Sequence, residues 1–344
     1  MERKLATVRI INDIQPIEGA DMIELAIVDG WKVVVAKNVG HKVGDMVIYC
    51  EIDSFLPIKE EFEFLRKSSY KKMGDQEGFR LKTIKLRGQV SQGLILPISV
   101  LNPTDTNIYV TPFEGLDVTD MLGIVKYEPP IPAELAGKVK GLFPSFIRKT
   151  DEERIQNLAS EYELFKTQNK EGVKFYVTEK LDGSSATYYF KDGIFGVCSR
   201  NLELLETEGN TFWKVARELM LEEKLGTLDN NICLQGELIG EGIQGNPYKI
   251  KGQTVRFFNA FNIDTQEYLG LGEFIALING MNLETVPVLD TNFTLPETVE
   301  DMLKVADDKS VLNFSFDREG IVIRSSDRTI SFKAISNKFL LNEK

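Results

Sequence analysis

The sequence predicts an α+β protein in two parts: a small antiparallel β-barrel, then a larger domain whose antiparallel sheets flank a cleft. Three observations carry this prediction. Short Val- and Ile-rich runs separated by turn signals fill residues 5–57. A proline-dense segment, Glu128-Pro129-Pro130-Ile131-Pro132, interrupts the chain. Beyond it strands recur with too few helices for a doubly wound sheet. Prolines restrict themselves and the residues before them, so this segment reads as a stiff linker, and the domains are expected at residues 1–126 and 127–344. A chain of 344 residues can bury two such cores.

In the first part, Leu5–Ile11, Ile23–Val28, Trp31–Ala36 and Met46–Ile52 read as strands. Asp29-Gly30 marks a hairpin between the second and third. Phe79–Leu86 and Gly93–Pro97 add another pair. Strands at this density in about 100 residues suggest a closed barrel of the OB-fold kind, commonly a binding module. In the second part, Thr150 followed by Glu153 forms a capping-box pattern that predicts a helix from Asp151. Val173–Thr178 alternates as a strand, and Thr187–Phe190 and Ile194–Ser199 bracket the turn Lys191-Asp192-Gly193. Glu208–Leu225, Leu271–Gly280 and Glu297–Ala306 carry helical spacing. Ile232–Leu238, Thr254–Ile263, Gly320–Arg324 and Thr329–Ala334 are expected strands.

The net charge of -11 argues against a generic nucleic-acid coat. Residues 66–87 depart from it, with Arg66, Lys67, Lys71, Lys72, Arg80, Lys82, Lys85 and Arg87 against Asp75 and Glu77. That local excess suits either a phosphate backbone or a solvated loop. Cys50, Cys198 and Cys233 are too few and too scattered for a disulfide framework or a metal knuckle. With His41 the sole histidine and set in a Gly-rich turn, a His metal site or a Ser-His-Asp triad is nearly excluded, and the chemistry falls to Lys, Arg, Asp and Glu. No apolar run approaches the roughly 20 residues of a membrane span, and Met1-Glu2-Arg3-Lys4 leads into no signal core, so a cytoplasmic protein is expected.

The chemistry centres on Thr178-Glu179-Lys180-Leu181-Asp182-Gly183, where a lysine ends a strand just before a turn. Lysine titrates near 10.4, so its amine must be depressed before it can attack. By itself Lys-x-Asp-Gly more often marks a solvated lysine ahead of a hairpin. Five later stretches at or near strand ends give it company. They are Ser199-Arg200-Asn201, Gln235-Gly236-Glu237-Leu238, Phe257-Phe258-Asn259-Ala260-Phe261-Asn262-Ile263, Arg318-Glu319-Gly320 and Ser331-Phe332-Lys333-Ala334.

In this order the stretches resemble the motifs of covalent nucleotidyltransferases, the class of ATP-dependent ligases and mRNA-capping enzymes. Thr178-Glu179-Lys180, Gly236-Glu237-Leu238 and Lys149-Thr150-Asp151-Glu152-Glu153-Arg154 are similar to RNA-ligase segments. A barrel ahead of them, containing Glu51-Ile52-Asp53-Ser54-Phe55-Leu56-Pro57, resembles the nick-sealing RNA ligases with an N-terminal OB domain. Eleven residues follow Lys333, so the C-terminal OB domain of DNA ligases and capping enzymes is not expected.

The resemblance implies the roles. Lys180 takes AMP from ATP and passes it to a 5′-phosphate, and a 3′-hydroxyl then displaces it. Lys333 neutralises the α-phosphate, and Arg200 binds phosphate. Glu237 and Glu319, with Asp264 as a candidate third, hold Mg²⁺ or Mn²⁺. Glu237 also contacts the ribose. The backbone at Glu179 reads adenine, Phe261 stacks on it, and Asp182 orients Lys180 or binds the metal's waters. Two positions depart from the family pattern: Asn262 replaces an aspartate, and Ser331 replaces a lysine, for which Arg324 or Lys338 are substitutes. The implied partner is a nicked duplex with a 3′-OH RNA end, gripped by Lys85 and Arg87 of the barrel, with a monomer favoured. A DNA ligase or capping-type enzyme, and a non-catalytic OB-fold nucleic-acid-binding protein, are the competing readings.

Overall fold

The computed structural model describes residues 4–101, 110–127 and 138–342, so the proline-dense segment 128–132 lies outside the described residues. The chain forms two compact units. One contains Met1–Ile131 with Ile155–Glu161 and Leu340–Lys344; the other contains Pro132–Arg154 and Tyr162–Phe339.

In the first unit, a five-stranded antiparallel sheet runs in the order Leu94–Pro97, Met46–Cys50, Ala6–Pro16, Ile23–Val28, Trp31–Ala36. The long strand Ala6–Pro16 pairs with Met46–Cys50 on one side and Ile23–Val28 on the other, with a bulge between Ile11 and Asp13. That device lets one strand turn a barrel corner. Val8, Ile48, Leu56, Phe62, Phe79 and Leu96 fill the interior. Asp29-Gly30 makes the expected hairpin turn. Gly30 is also required for packing, since a Cβ there would lie 2.7 Å from the Gln156 Cα. The segment Ile155–Glu161 is held to this unit by Trp31, whose indole N–H donates to Asn157 Oδ1 at 2.5 Å.

The strand expected over Phe79–Leu86 divides in two. Gln76–Arg80 joins a second sheet, whereas among the described residues Ile84–Leu86 pairs only with Gln89–Ser91. Arg87 and Gly88 turn this hairpin with φ of 47° and 83°, the pair of positive values a tight two-residue turn needs. Lys85 and Arg87 are both exposed.

The second unit holds two sheets. A seven-stranded antiparallel sheet includes Ile194–Cys198, Ser184–Lys191, Ile232–Gly240 and Gln253–Asn262 as neighbours in that order. The five-stranded sheet runs Glu153–Arg154, Ser331–Ile335, Gly320–Ser325, Phe175–Lys180, Val288–Phe293. Its pairings are antiparallel except that Glu153–Arg154 runs parallel to Ser331–Ile335. Tyr188, Leu234, Leu238, Val255 and Phe257 pack one face of the larger sheet against Val215, Leu221 and Phe274 from the helices.

Two helix expectations are corrected. No helix begins at Asp151: Glu153–Arg154 is a strand and Ile155–Leu158 a 3₁₀ turn, because Asp151 and Glu152 are engaged by Lys333 and Arg324 instead of capping a helix. The run Glu208–Leu225 forms two helices, Thr211–Glu218 and Leu221–Gly226, broken at Met220 with φ 52°. Among the described residues no helix is long and apolar enough to cross a membrane.

Strand register positions the chemistry. Lys180 sits opposite Gly320, so the preceding residue, Glu319, emerges beside it. Gly320 permits the close strand approach: a Cβ there would lie 2.3 Å from the Ala334 carbonyl oxygen. Gly320→Ala is expected to destabilise the protein by about 2–3 kcal/mol in denaturant titration, through overpacking of backbone against backbone. Unchanged stability would contradict this register argument.

Candidate active site

Lys180 ends the Phe175–Lys180 strand with its side chain 28% exposed, enough to remain open to a reactant. Its Nζ lies 2.7 Å from Glu319 Oε1. Burial works to lower the Lys180 pKa, but Glu319, Glu237 and Asp182 outweigh it and hold the ammonium above its ordinary value. The lysine is therefore charged in this state, the reverse of what nucleophilic attack requires. Glu237 comes from the other sheet, on Ile232–Gly240, where it pairs across to Ser185. Burial raises its carboxyl to about 8, opposed by Lys180 and reinforced by Glu319 and Asp182.

The turn after Lys180 is latched from outside. The Asp182 N–H donates to the Tyr248 hydroxyl at 2.6 Å, and Gln244 Nε2 donates to the Gly183 carbonyl at 3.4 Å. Gly183 lies so close to the next strand that a Cβ would sit 2.4 Å from the Leu238 oxygen. Glu179 turns inward: its Oε2 accepts the Val311 N–H at 2.9 Å, and burial raises its pKa.

A second cluster gathers the phosphate-seeking cations. Lys333 Nζ donates to Asp151 Oδ1 at 3.0 Å, and Arg200 Nη2 faces Asp151 Oδ2 at 3.4 Å. Beside it, Arg324 donates to Glu152 Oε1 through Nε at 3.1 Å and Nη2 at 2.7 Å, and the Ser331 hydroxyl donates to Glu152 Oε2. Burial acts to raise the Glu152 pKa, but Arg324 and Ser331 win and hold it below the usual range.

Lys180, Glu237, Glu319 and Asp182 thus act on one another, while Lys333 and Arg200 meet at Asp151. Two candidates lie elsewhere. Asp264 serves a turn: its Oδ2 accepts the Asn231 N–H at 3.0 Å and its Oδ1 accepts Asn231 Nδ2 at 2.8 Å. Phe261 is fully buried among Ile147, Tyr189, Cys198, Cys233 and Tyr268, which leaves its ring no face for a base. Nor is Arg324 a ready substitute for the missing lysine, being committed to Glu152. Lys85 and Arg87 belong to the other unit. Asp151 was not among the sequence-derived site residues. The signal for it was present in Lys149–Arg154, where the capping-box pattern pointed to a helix.

Glu319 pairs with Lys180, and Glu237 and Asp182 also act on it, an acidic group that a cation would meet. Among the described residues, however, no three Asp, Glu, His or Cys side chains converge closely enough to chelate an ion directly. Such a set fits an ion that keeps most of its waters.

Known proteins divide along the same lines. An OB-fold domain family matches residues 5–98, and the RNA ligase family matches residues 173–338. No match is found among curated proteins. Among solved structures, a lysine-to-methionine variant of the Naegleria gruberi RNA ligase with AMP and Mn is 45% identical, with a TM-score of 0.88 and 98% of each chain covered. A glutamate-to-alanine variant of that ligase with ATP and Mn, and the ligase with PPi, each match at 45% identity, TM-score 0.87 and 98% of both chains. Fold and site together define a covalent nucleotidyltransferase. Within that class, the chain belongs to the RNA ligase family, with an N-terminal OB-fold domain ahead of its ligase domain.

The raised Glu237 carboxyl gives a pH signature. The folded protein keeps this proton up to about 8, whereas an unfolded glutamate releases it above roughly 4.3. The folded state therefore binds the extra proton between these values, and its stability falls as pH rises through that window. On going from pH 5 to pH 8, the wild-type melting temperature is expected to drop further than that of Glu237→Gln, measured by scanning calorimetry without divalent ions. Parallel pH profiles would show that Glu237 is ionised throughout.

Proposed function

We propose that the chain seals nicks bearing 3′-OH and 5′-phosphate ends, through a lysyl-AMP intermediate on Lys180, and serves RNA repair. The observation that carries this is the placement of Lys180 at a strand end, 2.7 Å from Glu319 and under the influence of Glu237. The complexes of the 45%-identical Naegleria ligase with AMP and Mn and with ATP and Mn support ATP as the nucleotide and Mn²⁺ as the ion, a role Mg²⁺ could also fill.

In the first step, Lys180 Nζ attacks the α-phosphorus of ATP. A P–N bond forms, the bond to the β-phosphate oxygen breaks, and pyrophosphate leaves. The amine must first lose the proton that the carboxylates stabilise. Glu319 and Glu237 would hold the divalent ion, which supplies the positive charge that the ammonium otherwise provides to them. Glu319 then no longer favours the ammonium, and Nζ can attack as the neutral amine. Lys333 and Arg200 neutralise the phosphate oxygens as charge develops, and most of the catalysis is positioning. Backbone at Glu179 borders the adenine, its inward carboxylate fixing that stretch of chain to Val311. In the second step a 5′-phosphate oxygen takes the AMP from Lys180, and in the third a 3′-hydroxyl attacks that phosphate and expels AMP.

The substrate assignment rests on the domain order. An OB-fold domain precedes the ligase domain, and its exposed Lys85–Arg87 hairpin supplies cations for backbone contact. The chain works as a monomer in this reading, with residues 1–126 as the binding domain and 127–344 as the catalytic one.

Incubation with α-labelled ATP and Mn²⁺ is expected to label the protein, and Lys180→Ala is expected to abolish the label. Glu319→Ala should slow labelling roughly 10²-fold, the scale seen when one preorganised electrostatic group is removed. Labelling from GTP and not ATP would overturn the ligase reading. On a nicked duplex, replacing the terminal 3′-OH ribonucleotide by a deoxyribonucleotide should slow sealing severely; equal sealing of an all-DNA nick would remove RNA as the substrate.

A further inference from the structure

Asp151 holds an arrangement that phosphate binding alone does not explain. Its two carboxylate oxygens face two cations from different sheets: Lys333 on Ser331–Ile335, at 3.0 Å, and Arg200 just beyond Ile194–Cys198, at 3.4 Å. The Lys333 side chain is only 11% exposed, and an ammonium so placed needs a counterion to remain charged. A carboxylate offering two oxygens to a lysine and an arginine copies what a phosphate group offers them.

The neighbouring acid behaves differently. Glu152 is bound by Arg324 and Ser331 together, and Arg324 is only 2% exposed. That pair belongs to the framework. Asp151 is 31% exposed and its contact to the half-exposed Arg200 is long, so its bonds can be exchanged. One short segment thus carries a fixed carboxylate beside a replaceable one.

We propose that Asp151 is a placeholder for a phosphate group. The inference rests on the reading that Lys333 and Arg200 bind nucleotide phosphate. Before ATP enters, the Asp151 carboxylate keeps the two cations charged and converged. When ATP arrives, a phosphate takes over these partners and the carboxylate withdraws. Asp151 is a positioning residue, and its charge competes with the ligand it prepares for. The same exchange on departure favours release of the anionic product.

The probe is inorganic pyrophosphate, titrated calorimetrically into the full chain at low salt without divalent metal. Asp151→Asn removes the competing charge and keeps the shape, so it is expected to bind pyrophosphate roughly three- to tenfold more tightly than wild type. Asp151→Ser serves as a second variant with the same expectation, and thermal unfolding shows which variants are folded. Equal or weaker binding by folded variants overturns the placeholder. Lys333→Met is the control for the underlying reading and is expected to weaken pyrophosphate binding. If Lys333→Met binds as wild type does, Lys333 holds no phosphate and both readings fall. If Lys333→Met weakens binding and the Asp151 variants do not tighten it, only the placeholder falls.

Discussion

The ion pair between Lys180 and Glu319 is the contact on which the rest of the site depends. It stabilises the wrong protonation state for attack, since acidic neighbours, Glu319 first among them, favour the ammonium over the amine. That is a physical lock. In the proposed reaction Lys180 stays charged until positive charge from elsewhere meets the acids, which would couple its activation to the arrival of metal and nucleotide. Burial alone would lower the lysine's pKa, and the acidic neighbours reverse that.

The lock is set by backbone geometry. Lys180 and Gly320 are cross-strand partners, so Glu319 is delivered by register and not by a flexible loop. Glycine at 183 and at 320 lets strands approach where any side chain would strike a carbonyl oxygen. A polar frame steadies the surroundings. Arg328 reaches from the smaller sheet to Asn259 of the larger at 2.8 Å, and its guanidinium lies 4.8 Å from the Tyr268 ring centre. Arg328 is half-buried, and a hydrogen bond from a charged donor such as this contributes about 1.5–3 kcal/mol. Its service is to fix where the two sheets place Lys180 and Glu237.

Much of this was legible in the residues. Hydrophobic alternation gave most strands, and the Asp29-Gly30 and Lys191-Asp192-Gly193 turns stand where turn chemistry puts them. Lys180, Glu237 and Glu319 were singled out by the order of their motifs, which resembles that of covalent nucleotidyltransferases, and the structure brings the three together. The failures have physical causes. The Thr150–Glu153 pattern fits a helix cap locally, but long-range partners, Lys333 and Arg324, take the acids. Phe261 looked like a stacking platform because sequence does not say which side of a strand faces the core. Asp264 followed a strand end like a metal ligand, yet its carboxylate completes a turn with Asn231. The direction of the Lys180 shift was likewise invisible, because it depends on how many carboxylates converge in space.

Every step at the site turns on acidic neighbours holding Lys180 protonated. The direct measurement of this is the Lys180 pKa by NMR of its labelled side-chain nitrogen, compared between wild type and Glu319→Gln without divalent ions. A wild-type value above that of an ordinary lysine and a clear drop in the variant are expected. A Lys180 pKa that is already depressed in wild type, or unmoved by the substitution, would contradict it.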